Sequence, residues 1–389
     1  MSRRPALARL TVALGLTTAL IGACSGDDTT IGNPDGQPGV TDNGIPPTVP
    51  VVADEAFPAA RCEANRAAGT ITYLSSFDFH ASASIVDVLV AASKGYYEAL
   101  CLDVELKNSF SVDNYPLIAA NDAQFSSGGS FSEMVDFAGA NDAGFVALAV
   151  EGRTGIDALI TKDGEVATLE DIRGKKVGVK GAITPSVRAM LAQAGLVLDV
   201  DYETVLLDGF DPMVHIEAPD IVGFPGYKSN EPHQLEANGV PFKLFDPSSF
   251  DIPGSFGVLY TNLTFLQEHP SAAQDFMRAT MRGLADAIAD PAAAAQVAVD
   301  AINAEGNASF VSPESEAARW VLEAALVADG VASGAPLGLP LPGELLNEVT
   351  VYASVGLFAG EVPPLEGLID ATVVQGIYNA TGDLIWPAE

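Results

Sequence analysis

Val177-Gly178-Val179-Lys180-Gly181-Ala182-Ile183-Thr184-Pro185-Ser186 is the stretch from which the fold of this chain is read. Val177-Gly178-Val179 is a short run of buried-strand character. Gly181 ends it. Thr184 is placed to cap a helix beginning near Pro185, since proline lacks an N–H that the first turn leaves unpaired anyway. The polar run before it, Ile172-Arg173-Gly174-Lys175-Lys176, is the turn that feeds the strand. A strand that passes through a small-residue turn into a helix start offers free backbone N–H groups to a ligand. The unit is of α/β type, and the rest of the chain is expected to close over this turn.

Outward from that stretch, 389 residues allow two domains of ordinary size, and a hydrophobic fraction of 48% supports a substantial core. Fifty-one acidic residues against 19 basic ones give a formal charge of -32. Phosphate backbones would be repelled, which excludes nucleic acid as a partner. The acidity itself is a solubility feature. No cysteine pair has ligand spacing and the four histidines are scattered, so no metal site and no cofactor are expected.

The first residues are a targeting segment. Arg3, Arg4 and Arg9 precede an apolar run over 10–20 that is too short to span a bilayer comfortably. Ile21-Gly22-Ala23-Cys24 follows. This order resembles the bacterial lipoprotein signal, which implies cleavage after residue 23, a lipid on Cys24, and a location on the extracytoplasmic side of the cell membrane. Residues 24–66 read as a flexible tether, being rich in Gly, Pro, Asp and Thr over 25–60. The remaining cysteines, Cys62 and Cys101, either form a disulfide or stay as two buried thiols. The bridge is favoured because no other thiol competes once Cys24 is modified.

The globular part is expected to begin near Gly69. Thr70-Ile71-Thr72-Tyr73-Leu74 is a strand, residues 85–94 a helix closed by Gly95, and Leu102-Asp103-Val104-Glu105-Leu106 a second strand. That order suggests a parallel sheet with right-handed crossovers. Helices are expected over 272–301, with a break at Asp290-Pro291, over 313–329 with Trp320 on the apolar face, and in short pieces over 345–357 and 368–378.

Lys94-Gly95-Tyr96-Tyr97-Glu98 followed by Leu102-Asp103-Val104-Glu105-Leu106 resembles the signature of a family of ABC-importer solute-binding proteins. Its members handle nitrate, sulfonates, taurine, the pyrimidine precursor of thiamine, and riboflavin. Gln124-Phe125-Ser126-Ser127-Gly128-Gly129-Ser130, Ile172-Arg173-Gly174-Lys175-Lys176-Val177-Gly178-Val179, Tyr227-Lys228-Ser229-Asn230-Glu231-Pro232, Ser255-Phe256-Gly257-Val258-Leu259-Tyr260-Thr261 and Phe276-Met277-Arg278-Ala279-Thr280 resemble further family segments, in the family's order. The match runs from about residue 70 to near the C-terminus. One departure is Cys101, where the family usually has glycine. The resemblance implies a two-lobe periplasmic-binding-protein fold of type II with a ligand cleft between the lobes. Lobe one is then 67–157 plus 258–389 and lobe two 158–257, with hinges at the two crossings. It also implies a monomer that hands a small-molecule solute to a permease and its ATPase.

Four loops supply the candidate cleft. Phe77 and Phe79 offer aromatic faces and Asp78 a carboxylate, although the two rings could equally be core. Ser126, Ser127, Gly128 and Gly129 combine hydroxyl donors with close backbone approach. Gly181, Ala182, Ile183 and Thr184 face them from lobe two. Asp211, Tyr227, Asn230 and Glu231 lie near the return of lobe two, where Asn230 and Asp211 also suit helix capping. Asp78, Asp211 and Glu231 outnumber Lys228, which favours a neutral or cationic N-heteroaromatic solute over an oxyanion. An enzyme reading is disfavoured. The thiamine-pyrimidine synthases of this fold have a cysteine cluster that is absent here, and there is no Gly-x-Ser-x-Gly elbow. A ligand sensor built on the same cleft remains open, as does a sulfonate, taurine or nitrate binder.

Overall fold

The computed structural model describes residues 43–305, 312–331 and 334–388. The leader over 1–23, Cys24 and the first part of the tether lie outside the described residues. The chain begins with α1 (Ala59–Ala67), β1 (Thr70–Leu74), α2 (Val86–Ser93), α3 (Tyr96–Ala99), β2 (Asp103–Lys107), α4 (Ser111–Ala119), β3 (Phe125–Gly128), α5 (Phe131–Asn141) and β4 (Phe145–Gly152). It crosses over residues 153–156 into β5 (Asp157–Lys162), β6 (Lys176–Val179), α6 (Pro185–Gln193), β7 (Glu203–Leu206), α7 (Pro212–Glu217), β8 (Gly223–Tyr227), α8 (Glu231–Ala237) and β9 (Phe242–Phe245). It returns over residues 246–255 into β10 (Phe256–Asn262), α9 (Leu263–Glu268), α10 (Pro270–Ala289), α11 (Pro291–Glu305), α12 (Pro313–Val331), α13 (Pro342–Ser354) and α14 (Ala371–Gln375).

Lobe one is built on a five-stranded sheet of order β2-β1-β3-β10-β4. β1 is parallel to β2 and β3, while β10, arriving from the other lobe, is antiparallel to β3 and β4. Every residue of β4 and β10 is buried, as expected for strands covered by helices on both faces. Lobe two holds the antiparallel set β8-β5-β9 and the parallel pair β6-β7. The bond from Val222 N to Lys176 O, 2.9 Å, links the two sets.

The longest helix, α10, runs against α2. Their approach is so close that a Cβ on Gly283 would lie 2.2 Å from the Asp87 carbonyl oxygen, so only glycine fits there. Trp320 of α12 is fully buried, and its Nε1 donates to the Ala287 carbonyl at 2.7 Å.

Two boundaries differ from expectation. The composition predicts a tether through residue 66, but the body begins earlier. Val51 is buried, Asn43 donates to Asp370 at 3.1 Å, and 59–67 are helical. The physical reason is Arg61. It is wholly buried, and its Nε and Nη2 grip both Asp275 oxygens at 2.6 and 3.0 Å in a bidentate pair. Asn65 adds 2.8 Å bonds to Asp275 and to the Leu100 carbonyl. A Gly/Pro-rich composition says that a segment has no core of its own, not that it cannot lie down on another. The second boundary is α13, assigned wholly to lobe one. Its Leu345 and Val349 join a lobe-one cluster, but Tyr352 joins the lobe-two core and donates to the Pro253 carbonyl at 2.8 Å.

Cys62 of α1 is joined to Cys101, with Cα atoms 5.2 Å apart. Cys101 has φ +60°, in the left-handed region that favours glycine. The backbone turn before β2 is therefore kept although the usual glycine is missing.

Candidate functional site

The loop after β1 carries the first aromatic group. Phe77 stacks on His80 at 5.3 Å and 21° and meets Phe110 edge to face at 5.4 Å. From lobe two, Phe210 meets the same Phe77 edge to face at 5.1 Å, and the Lys180 ammonium lies 5.2 Å from the Phe210 ring centre. The cleft is thus closed across an aromatic contact. Asp78, at φ +44°, is held by a 2.8 Å bond from its N–H to the Ser109 carbonyl. Phe79 does not join its neighbour. It is 6% exposed and belongs to the main core of lobe one, because the turn at Asp78 sends the two rings to different sides.

Ser126 and Ser127 lie in strand β3, not in a loop, and their hydroxyls serve lobe one itself. Ser126 Oγ accepts from Asn114 Nδ2 at 3.0 Å, and Ser127 Oγ accepts from the Ser76 N–H at 2.7 Å. Gly128 packs on Tyr260. Gly129 faces the cleft: a Cβ there would lie 2.7 Å from Glu133 Oε2 and 3.2 Å from the hydroxyl of Tyr227 in lobe two. Ser130 caps the start of α5, its Oγ accepting from the Glu133 N–H at 3.3 Å.

In lobe two, Gly181 has φ +97° and is exposed with Ala182, whereas Ile183 enters the lobe-two core. Thr184 occupies the cap position of α6 but makes no capping bond, and its Oγ1 has no partner among the described residues. Asp211 caps α7 by accepting from the Met213 N–H at 2.9 Å, which ties it to the backbone rather than to the cleft. Glu231 is buried. One oxygen pairs with Lys180 at 2.9 Å and the other accepts from the Tyr227 N–H at 2.8 Å. Tyr227 keeps its side chain 39% exposed. Asn230 stands at the cap position of α8 without capping it. Its Oδ1 accepts instead from Arg319 Nη2 of lobe one at 2.6 Å.

The charge count drawn from the loops therefore changes. Glu231 and Asp211 are occupied, Lys228 pairs with Asp246 at 3.0 Å, and the groups that meet across the lobes include α12. Glu316, Arg319 and Glu323 form one polar stripe on that helix, at i, i+3 and i+7. Glu316 Oε1 lies 3.3 Å from His80 Nδ1 and 3.5 Å from Arg319 Nη2. Burial opposes ionisation of Glu316, yet Arg319 and His80 outweigh it and hold the carboxyl at about 2. Burial and the Arg319 charge keep His80 below its ordinary value. Glu323 accepts from the Ser229 hydroxyl of lobe two at 2.7 Å, and burial pushes it up to about 7.

These acids fill the loop before α2. The Ala81 N–H donates to Glu316 Oε2 at 2.6 Å, the Ala83 N–H to Glu323 Oε2 at 2.7 Å, and the Ser84 N–H to Glu151 Oε2 at 2.9 Å. Glu151 also feels the Asp87 carboxyl; burial and the Asp87 charge raise Glu151, and burial raises Asp87. Glu316, Arg319 and Glu323 were not singled out from sequence. Their i, i+3, i+7 spacing beside Trp320 was the available signal.

Residues 82–294 match the model of the family described as NMT1/THI5 like. The chain belongs to that family. It is also similar to the riboflavin-binding protein RibY of Chloroflexus aurantiacus, at 26% identity over 63% of this chain and 69% of that protein. In fold it is similar to the ligand-binding component of an ABC-type import system from Staphylococcus aureus. The TM-score is 0.58 at 12% identity, covering 79% of this chain and 98% of that one. A sulfonate-binding SsuA protein of Methylobacillus flagellatus gives a TM-score of 0.55 at 15% identity, covering 79% and 92%. These neighbours establish the periplasmic-binding-protein fold of two α/β lobes.

Proposed function

We propose that the chain is an extracytoplasmic solute-binding lipoprotein of an ABC importer, anchored through Cys24, that holds a small N-heteroaromatic vitamin or precursor between its lobes and catalyses nothing. The observation that carries the ligand class is the occupied loop before α2. A helix N-terminus and the loop before it are a ready anion site. Here the N–H groups of Ala81, Ala83 and Ser84 already donate to the chain's own Glu316, Glu323 and Glu151. A sulfonate or nitrate seated at that loop would meet three filled donors and three carboxyl groups. A flat uncharged ring meets Phe77, His80 and Phe210. The likeness to a riboflavin-binding protein supports the same class.

Calorimetric titration of the purified chain with riboflavin, hydroxymethylpyrimidine, thiamine, taurine and nitrate tests this reading. Saturable binding of one of the heteroaromatics, and none of taurine or nitrate, is expected. Binding of taurine or nitrate alone would overturn the ligand class and keep the importer role.

A further inference from the structure

Arg319 is the group in the cleft that packing does not explain. It is 8% exposed, so its guanidinium has left water, and burying an incompletely paired cation is costly. Nη2 is used twice, for Asn230 Oδ1 at 2.6 Å and near Glu316 Oε1 at 3.5 Å. Nε–H has no partner among the described residues. Glu316 joins Arg319 to His80, which stacks on Phe77. An unfilled, charge-assisted donor is thus linked, through Glu316 and His80, to an aromatic face that Phe210 covers from the other lobe.

We propose that Arg319 is the specificity-determining residue of the cleft, and that its Nε–H donates to a ring carbonyl oxygen of a pyrimidinedione-type solute seated on Phe77. This rests on the heteroaromatic reading and narrows it. An isoalloxazine or other dione edge presents acceptor oxygens to a donor. An aminopyrimidine has no ring carbonyl and offers only ring nitrogens beside its amino N–H donors, so it is the poorer acceptor for the guanidinium. Ring binding replaces the Phe77–Phe210 contact, and Asn230 then steadies the guanidinium from lobe two.

The test is titration of wild type, Arg319→Met and Arg319→Lys with riboflavin, by quenching of its fluorescence, and with hydroxymethylpyrimidine, by calorimetry. Arg319→Lys keeps the charge beside Glu316 but loses the planar fork, so it controls for folding, which circular dichroism of each variant verifies. Wild type is expected to prefer riboflavin. Both variants should weaken riboflavin about 10- to 100-fold, the range of a hydrogen bond to a charged group, while hydroxymethylpyrimidine binding changes less than about threefold. A merely structural arginine would weaken both ligands together. Riboflavin affinity unchanged in folded variants, or equal losses for both ligands, would overturn the assignment of Arg319 and leave the heteroaromatic reading standing. Absence of binding of either ring to wild type would overturn both.

Discussion

Two helix starts border the cleft, and they are finished in opposite ways. At α2 the preceding loop has its N–H groups at residues 81, 83 and 84 taken by buried carboxyl groups from α12 and β4. At α6 no side chain caps the helix, and Gly181 and Ala182 stay exposed. Lobe one fills the donors before α2 with its own carboxyl groups and is cross-linked as well. Lobe two leaves its polar turn open. The difference teaches that backbone shape does not fix local charge: donors aligned in one loop can be filled by side chains from a distant helix.

The contrast can be broken most strongly at the cross-link. Cys62→Ser should lower stability by about 4 kcal/mol, the chain-entropy value for a loop of 39 residues, read as a shift of the urea midpoint. The double variant Cys62→Ser, Cys101→Gly should recover about 1 kcal/mol of that loss, because φ +60° suits glycine. Next, Glu323→Ala strands the Ala83 N–H and the Ser229 hydroxyl and should cost about 3 kcal/mol in the same assay.

The contrast sharpens with pH. Burial raises Glu323 from an ordinary 4.5 to about 7, so between those values the folded chain keeps a proton that the unfolded chain releases. Stability should therefore fall as pH rises from about 4.5 to about 7. The raised Asp87 and Glu151 act in the same direction. Scanning calorimetry should show a higher Tm at pH 5 than at pH 8, with a smaller difference in Glu323→Gln. A Tm that rises over this interval would contradict the buried-acid account.

The smallest effect belongs to lobe two. Thr184→Ala should change stability by less than about 0.5 kcal/mol, where a working cap would cost about 1 kcal/mol.

Much of the fold was legible because it is local. The strand at 176–179, the helix start at Pro185 and the break at Asp290-Pro291 each follow from residues within a few positions. The site was less so. Phe77 and Phe79 look equivalent in sequence, and only the turn at Asp78 separates a cleft ring from a core ring. Asn230 reads as a cap because nothing nearby announces Arg319, 89 positions later. Glu231 reads as an open anchor until Lys180 is brought to it. Charges counted loop by loop therefore misjudged the site, since the groups that neutralise them arrive from other elements.

The fastening of α1 has a mechanical meaning. Under the Cys24 anchor proposed above, tension on the chain would pass through residues 43–58 to α1. There the Cys62–Cys101 bridge and the Arg61–Asp275 grip pass it to the turn before β2 and to α10. Both lie in lobe one, so the strain would be grounded before it reached either crossing at 153–156 or 246–255, and lobe two would swing unloaded.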